Sequence, residues 1–99
     1  MTQKQWNIAI FMFDDVEVLD FAGPFEVFAV ARYDDGSQPF NVSLVSENGD
    51  RVVARNGLKV DVDYSIANCS KLDLLLIPGG QGTRTVMHNE NVRAWIQSQ

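Results

Sequence analysis

The sequence predicts a doubly wound α/β fold, in which helices cover both faces of a mostly parallel sheet. Short apolar runs, typical of buried strands, alternate with segments of helical periodicity. The first three elements read strand, helix, strand, which is a βαβ unit with an expected right-handed crossover. An Asn-Gly pair between two alternating stretches adds a small inserted hairpin.

The first strand is predicted at residues 6–13, WNIAIFMF, where the apolar run is nearly continuous. Residues 16–20 are predicted to form a turn. Gly23-Pro24 is predicted to open a helix, because proline is favoured at the first helical position. Residues 34–36, Asp-Asp-Gly, are expected to end that helix. Residues at helical spacing are expected to lie on the sheet: Phe21, Phe25, Phe28 and Ala29.

The second half of the chain adds two predicted strands and a hairpin. Residues 39–46 and 73–77 are the strands, and a type I′ turn at Asn56-Gly57 joins hairpin arms at 51–55 and 58–63. With 6–13, these strands are the three candidates for the parallel sheet.

The chain is predicted to end in helical structure. Residues 83–87 begin a helical stretch, and Asn89 caps a last helix that buries Val92, Trp95 and Ile96. Since a crossover helix normally feeds another parallel strand, we expect the fold to be incomplete at its C-terminus.

Composition narrows the classes of protein. The 99 residues are 45% hydrophobic and carry a net charge of −5, which favours one globular domain and disfavours direct nucleic-acid binding. No run approaches the roughly 18 apolar residues of a membrane helix. The single cysteine excludes an internal disulfide, and the polar start lacks a signal-peptide pattern, so a cytoplasmic protein is expected.

Acidic residues follow the first predicted strand. Asp14 and Asp15 would need an acceptor aspartate at the end of a later strand to form a magnesium-dependent phosphorylation site, but Ile77-Pro78 stands there. We therefore interpret them as solvated turn residues. Asp20 leaves two interpretations open: a part-buried carboxyl beside Phe21 and Leu19 that handles protons, or a helix-entry cap for the free N–H groups of residues 22–24, which the spacing favours.

The glycine loop PGGQG at residues 78–82 can present backbone N–H groups to an anion. It lacks the third glycine of a dinucleotide fingerprint, since Thr85 stands there, and it lacks the P-loop ending. A sharp turn that needs glycine for positive φ is the alternative. Arg84 either pairs with an anion or lies on the surface.

The single cysteine and the single histidine do not predict a metal site. Cys69 precedes the strand at 73–77 with no base beside it except Lys71, so we interpret it as a structural or loop thiol. His88 is expected to be solvated. No metal or cofactor is expected.

Three segments together resemble the ThiJ/PfpI superfamily, which is related to class I glutamine amidotransferases. They are IAIFMFDDVEVLDFAGPFEVF (8–28), VVARNGLKVDVDYSI (52–66) and LDLLLIPGGQGTR (72–84). The sequence is most similar to isonitrile hydratases and to the amino-terminal domains of AraC-type regulators. The resemblance implies a flavodoxin-like fold, a dimer, a small-molecule substrate, and that residues 1–99 are the amino-terminal portion of one domain.

The resemblance also implies roles for particular residues. Asp20 falls on the catalytic aspartate, the N–H of Gly80 on an oxyanion donor, and Gly79 and Gly82 on substrate contacts. The cysteine nucleophile of the family belongs beyond Gln99, so the chain alone is expected to be inactive.

Three functions stay open on this basis. The first is a hydratase that converts an isonitrile to an N-substituted formamide, and the second is a non-catalytic ligand sensor of a transcriptional regulator. A glyoxalase-, chaperone- or amidase-like member is the third, although those branches commonly carry glutamate at the position of Asp20.

Overall fold

The central sheet is parallel throughout the part of the chain that the computed structural model describes, residues 4–79 and 88–99. In chain order the elements are β1 (Trp6–Phe11), α1 (Val18–Val30), β2 (Phe40–Ser46), β3 (Val52–Val53), β4 (Lys59–Val60), β5 (Tyr64–Ser65), β6 (Leu74–Leu76) and α2 (Glu90–Ser98). The sheet has the order β5-β2-β1-β6, and β3 pairs with β4 in a separate antiparallel hairpin. The predicted fold class is confirmed.

Strand β1 lies at the centre of the core. It pairs with β2 on one side and with β6 on the other, and Ile8 to Phe11 are all buried. Met12 and Phe13 stay buried after the strand ends, and the Met12 N–H donates to the carbonyl of Val45 at 2.6 Å. The long apolar run of the sequence therefore covers the strand and the first residues of the loop after it.

The predicted strands at 39–46 and 73–77 are confirmed as β2 and β6. The prediction of only three parallel strands is wrong, because β5 adds a fourth beside β2. Asp63 precedes β5 and bonds Leu44 twice: its N–H donates to the Leu44 carbonyl, and its carboxylate accepts the Leu44 N–H, both at 2.8 Å. Two residues are too few for side-chain alternation to reveal a strand.

Helix α1 begins at Val18, with Glu17 as its N-cap residue, so the predicted turn at 16–20 and the predicted start at Gly23-Pro24 are both wrong. Pro24 lies inside the helix. Its missing N–H deprives the Asp20 carbonyl of its usual helical donor. The helix ends at Val30, before the predicted stop at residues 34–36.

The predicted stripe of α1 is confirmed only in part. Phe21 is buried, and Phe28 packs edge-on against Phe40 with ring centroids 5.1 Å apart. Phe25 is exposed instead. Three further apolar side chains of the helix face outward: Leu19 (82% exposed), Val27 (67%) and Val30 (58%).

The inserted hairpin is confirmed, with a turn one residue longer than predicted. Val53 pairs with Lys59, and the Ala54 N–H donates to the Leu58 carbonyl at 2.7 Å, which leaves a three-residue loop, Arg55–Gly57. Asn56 and Gly57 have φ values of 69° and 94°. The Asn-Gly pair thus supplies the left-handed backbone that the sequence pattern indicates.

Helix α2 matches its prediction. The Asn89 side chain accepts the Val92 N–H at 3.2 Å, Val92 is buried, and Trp95 and Ile96 pack against the core. Trp95 lies 5.9 Å from Phe11, centroid to centroid. Neither α1 nor α2, the helices of the described residues, is long and apolar enough to cross a membrane.

Candidate functional site

The carboxyl ends of β1 and β6 lie side by side, because the two strands are parallel neighbours. The loop after β1 leads into α1, and the loop after β6 contains Pro78 and Gly79. Ligands of doubly wound sheets bind outside the carboxyl ends of strands. The topology therefore brings the acidic segment and the start of the glycine loop to one edge of the sheet.

Asp20 and Gly79 meet at this edge. A Cβ atom placed on Gly79 would lie 3.4 Å from Oδ2 of Asp20, and the Glu17 N–H donates to the Gly79 carbonyl at 3.4 Å. Two of the residues predicted for the site thus lie beside each other, with no atom of Gly79 filling the space next to the carboxylate. Any side chain at position 79 would occupy the space directly beside the carboxylate.

Gly79 does not serve the conformational purpose that the sequence suggested. Its φ lies outside the left-handed range, whereas Gly36, Gly49 and Gly57 adopt positive φ. The interpretation of a turn needing positive φ is therefore wrong at this residue. Here the absence of a side chain leaves room between the β6 loop and the carboxylate of Asp20.

Asp20 lies in the first turn of α1, on the surface of the protein. The expectation of a part-buried carboxyl beside Phe21 and Leu19 is wrong, because Asp20 and Leu19 are exposed and only Phe21 is buried. The cap interpretation is wrong as well, since Glu17 occupies the N-cap position and the Asp20 N–H donates to the Glu17 carbonyl at 3.1 Å. An anionic side chain in this first turn is favoured by the helix dipole.

The segment before α1 is bonded to the hairpin. The Val53 N–H donates to Oδ1 of Asp14 at 2.9 Å, and the Asp15 N–H donates to the Val53 carbonyl at 2.9 Å. The Arg55 N–H donates to the Val16 carbonyl at 3.0 Å. The interpretation of Asp14 and Asp15 as solvated turn residues is confirmed, since both are exposed in a turn. Asp14 in addition accepts a hydrogen bond that joins this turn to the hairpin.

A side-chain pair continues this contact. The Arg55 guanidinium lies 3.4 Å from the Glu17 carboxylate, measured from Nε to Oε1. Both side chains are roughly half exposed. Because Glu17 is the N-cap residue, this pair lies at the start of α1, one turn before Asp20.

An open cleft of about 460 Å³ lies at the carboxyl ends of β1 and β2. Neither Asp20 nor Gly79 lines it. Its polar lining includes Asp15, Asp50 and Arg51, and Asn89 crosses to Glu47 with a 2.8 Å bond from Nδ2 to Oε1. Within residues 4–79 and 88–99, no acidic, histidine or cysteine side chains are grouped in a way that could hold a metal ion.

Cys69 lies in a loop and His88 is exposed, as the sequence predicts. Cys69 precedes β6, at the amino end of the sheet, and its Sγ contacts the Ser70 carbonyl at 3.4 Å. Partial burial raises the pKa of its thiol, which opposes a role as nucleophile. Gly80, Gly82, Arg84, Thr85 and the predicted helical stretch at 83–87 lie outside the described residues.

Residues 6–99 match the DJ-1/PfpI family. The chain belongs to this family. It is 31% identical over 94 residues to an isonitrile hydratase from Pseudomonas putida, and the match covers 94% of this chain and 38% of that protein. The resemblance seen in the sequence is confirmed at the level of the family.

Solved structures of the family share the fold. The chain superposes on a ThiJ/PfpI family protein from Pseudomonas syringae with a TM-score of 0.81 at 22% identity, covering 95% of this chain and 37% of that one. An AraC family transcriptional regulator from Pseudomonas putida gives a TM-score of 0.67 at 25% identity, covering 94% and 57%. The chain thus spans less than two thirds of the length of these relatives.

Proposed function

We propose that the whole protein adds water to a small isonitrile and gives an N-substituted formamide, with Asp20 moving a proton. Water supplies the carbonyl oxygen and two hydrogens, one of which ends on the former isonitrile carbon and one on nitrogen. The 31% identity to an isonitrile hydratase supports this substrate class. The observation that carries the proposal is the position of the Asp20 carboxylate against Gly79.

The nucleophile in this proposal is a cysteine outside the 99 residues, as the family resemblance implies. Its thiolate adds to the isonitrile carbon, which takes up a proton to form a thioimidate. Water then adds to that carbon, its protons pass to nitrogen and to the proton donor, and the C–S bond breaks to release the thiolate and the formamide. The N–H of Gly80 is proposed to stabilise negative charge during these steps, with Gly79 and Gly82 contacting the substrate. A carboxylate at Asp20 is suited to give and take the protons that carbon, nitrogen and water exchange.

Cys69 is not a substitute for that nucleophile. It lies at the amino end of β6, whereas Asp20 and Gly79 lie beyond the carboxyl end. Its raised pKa also lowers the fraction of thiolate at neutral pH. We therefore propose that residues 1–99 alone do not catalyse the reaction.

The test is formamide production from an alkyl isonitrile by the full-length protein. Asp20→Ala is expected to lower kcat/KM at least about 100-fold, the lower range of losses for a general acid–base group. Glu26→Ala is the matched control, since it removes an exposed carboxylate from the same helix. Full activity in Asp20→Ala would refute the role of Asp20, and an inactive wild-type protein would refute the hydratase.

A ligand sensor is the second candidate, favoured by the structural similarity to an AraC family transcriptional regulator. In that case the same edge binds a small molecule without chemistry. The sequence beyond Gln99 separates the two: a cysteine between a strand and a helix supports the enzyme, and a helix-turn-helix domain without that cysteine supports the sensor. Stabilisation by isonitriles without turnover would support the sensor at the bench.

We also propose that the protein is a homodimer in the cytoplasm. The exposed apolar side chains of α1, Leu19, Val27 and Val30, support association, because a contact with a second copy would remove them from water. A single cysteine is compatible with a reducing compartment. Sedimentation of the full-length protein measures its oligomeric state.

A further inference from the structure

We infer that the hairpin β3–β4 positions Asp20, acting through Asp14 and Arg55. The inference rests on the proposed function, in which Asp20 handles protons. It makes Arg55 a positioning residue: its side chain contacts the start of α1 and acts on the reaction only through Asp20.

The first step is the attachment of the hairpin to the segment before α1. Two backbone bonds and the Asp14 carboxylate join residues 14–16 to residues 53–55, at 2.9 to 3.0 Å. Val16 and Ala54, inside this contact, are buried. The hairpin therefore fixes the path of the chain up to the residue before the N-cap.

The second step is the transfer of that position to the helix. Glu17 is held by three partners: its carboxylate by Arg55, its N–H by the Gly79 carbonyl, and its own carbonyl by the Asp20 N–H. The hairpin, the β6 loop and Asp20 are thus joined through one residue. A shift of the hairpin would move the Asp20 carboxylate relative to Gly79.

The open end of the same hairpin, opposite the turn, supplies an internal control. Arg51 pairs with Asp61 at 2.7 Å across the two arms, and both side chains are well exposed. This pair joins the two arms of the hairpin and has no hydrogen bond or ion pair to α1 or Gly79, and the cleft that Arg51 lines includes neither Asp20 nor Gly79. Arg51→Ala and Arg55→Ala thus remove the same side chain from the same element, with only the second reaching the site.

Conservative variants separate positioning from folding. Asp14→Ala leaves the Val53 N–H without its acceptor, whereas Asp14→Asn keeps an oxygen in place. Arg55→Lys keeps the charge near Glu17 and loses the planar guanidinium. Exposed ion pairs add little stability, so Arg55→Ala is expected to unfold at nearly the same urea concentration as the wild type.

Kinetics on an alkyl isonitrile with the full-length protein provide the first readout. We expect kcat to fall about two- to fivefold in Arg55→Ala and about tenfold in Asp14→Ala, since small displacements of a reacting group are costly. KM should change little, because in this proposal both residues act on the reaction only through Asp20. Arg55→Lys and Asp14→Asn should recover most of the rate, and Arg51→Ala should match the wild type. Equal rates in Arg51→Ala and Arg55→Ala, or no recovery in Asp14→Asn, would overturn the inference.

Amide hydrogen exchange at Glu17 and Asp20 gives a readout that does not depend on turnover. Exchange at both amides should accelerate in Arg55→Ala and Asp14→Ala but not in Arg51→Ala. If the wild type shows no hydratase activity, the proposed function fails while this experiment still tests the positioning. Unchanged exchange in both variants would show that the hairpin does not hold the start of α1. Should Asp14→Ala fail to fold, Arg55→Ala and its lysine counterpart carry the same comparison.

Discussion

Replacing Asn89 should destabilise the protein through two separable hydrogen bonds. Its Oδ1 accepts the Val92 N–H at 3.2 Å, which caps α2, and its Nδ2 donates to Oε1 of Glu47 at 2.8 Å, just after β2. The second bond is part-buried and its acceptor is charged. One side chain therefore both begins the helix and ties it to the carboxyl end of the sheet.

The expected magnitudes follow from these two contacts. Loss of an N-cap side chain costs about 1 kcal/mol, and loss of a hydrogen bond to a charged, partly solvated group costs about another 1 kcal/mol. Asn89→Ala removes both bonds, so a loss of about 2 kcal/mol in the free energy of unfolding is expected. Asn89→Asp keeps the cap but removes the donor and places a second carboxylate beside Glu47. Its expected loss is about 1 kcal/mol, and Glu47→Gln in that background should recover part of it.

Urea unfolding of the full-length protein measures these differences, with the m-value as a check that the denatured state is unchanged. A double-mutant cycle that combines Asn89→Ala with Glu47→Ala isolates the coupling energy between the Asn89 and Glu47 side chains. If Asn89→Asp were as stable as the wild type, the bond to Glu47 would contribute nothing. If Asn89→Ala cost less than about 0.5 kcal/mol, the cap itself would be unimportant, contrary to the usual cost of losing one.

Three further outcomes concern the surface of the protein. Because burial raises the pKa of the Cys69 thiol, iodoacetamide should alkylate it more slowly than an exposed cysteine, and unfolding in urea should remove the difference in rate. The stability linked to this thiol is complete below its unfolded pKa and is lost as the pH rises through its folded pKa. The hydrogen bond from Arg51, followed by the charge of Arg51, lowers the pKa of Asp61. Arg51→Gln should therefore raise the pKa of Asp61 toward its ordinary value in an NMR titration. The stability linked to the pair is present above the unfolded pKa of Asp61 and is lost as the pH falls through its lowered folded pKa. Leu19→Lys combined with Val27→Lys should weaken self-association in sedimentation experiments, and unchanged association would exclude this face of α1 as the contact.

Strand β1 could be predicted because burial on both faces leaves a strong sequence signal. The run from Trp6 to Phe13 is almost entirely apolar, because β1 lies between two paired strands and is buried on both of its faces. Strand β5 could not be found in the same way. Its pairing depends on Asp63, whose backbone and carboxylate both form hydrogen bonds with Leu44. A two-residue segment has no sequence pattern that predicts this contact.

The start of α1 was mispredicted for a physical reason. Proline is favoured at the first helical position, yet Pro24 lies inside the helix, where its cost falls on the carbonyl of Asp20. Val18 to Phe21 have a largely apolar pattern that is compatible with a helix, but proline is the stronger sequence signal for a helix start and predicts it at the wrong residue. The position of this boundary decides whether Asp20 belongs to a loop or to the first turn of a helix.

The candidate site shows the same division between local and long-range information. Asp20 and Gly79 could be named from the sequence because each belongs to a segment typical of the family. Glu17 and Arg55 could not, because their contact joins residues far apart in the chain and an exposed ion pair leaves no pattern.

The geometry also changes what the glycine loop contributes. A glycine required for positive φ would be a backbone requirement, and its replacement would disturb the turn wherever the turn occurred. Gly79 has no such φ, and the nearest atom to its missing side chain is the carboxylate oxygen of Asp20. Its contribution is therefore space beside an acid, at the edge of the sheet where a ligand would enter. A small residue in the loop after β6 and an acid on α1 thus form one feature, and the hairpin that holds the start of α1 determines whether the two stay together.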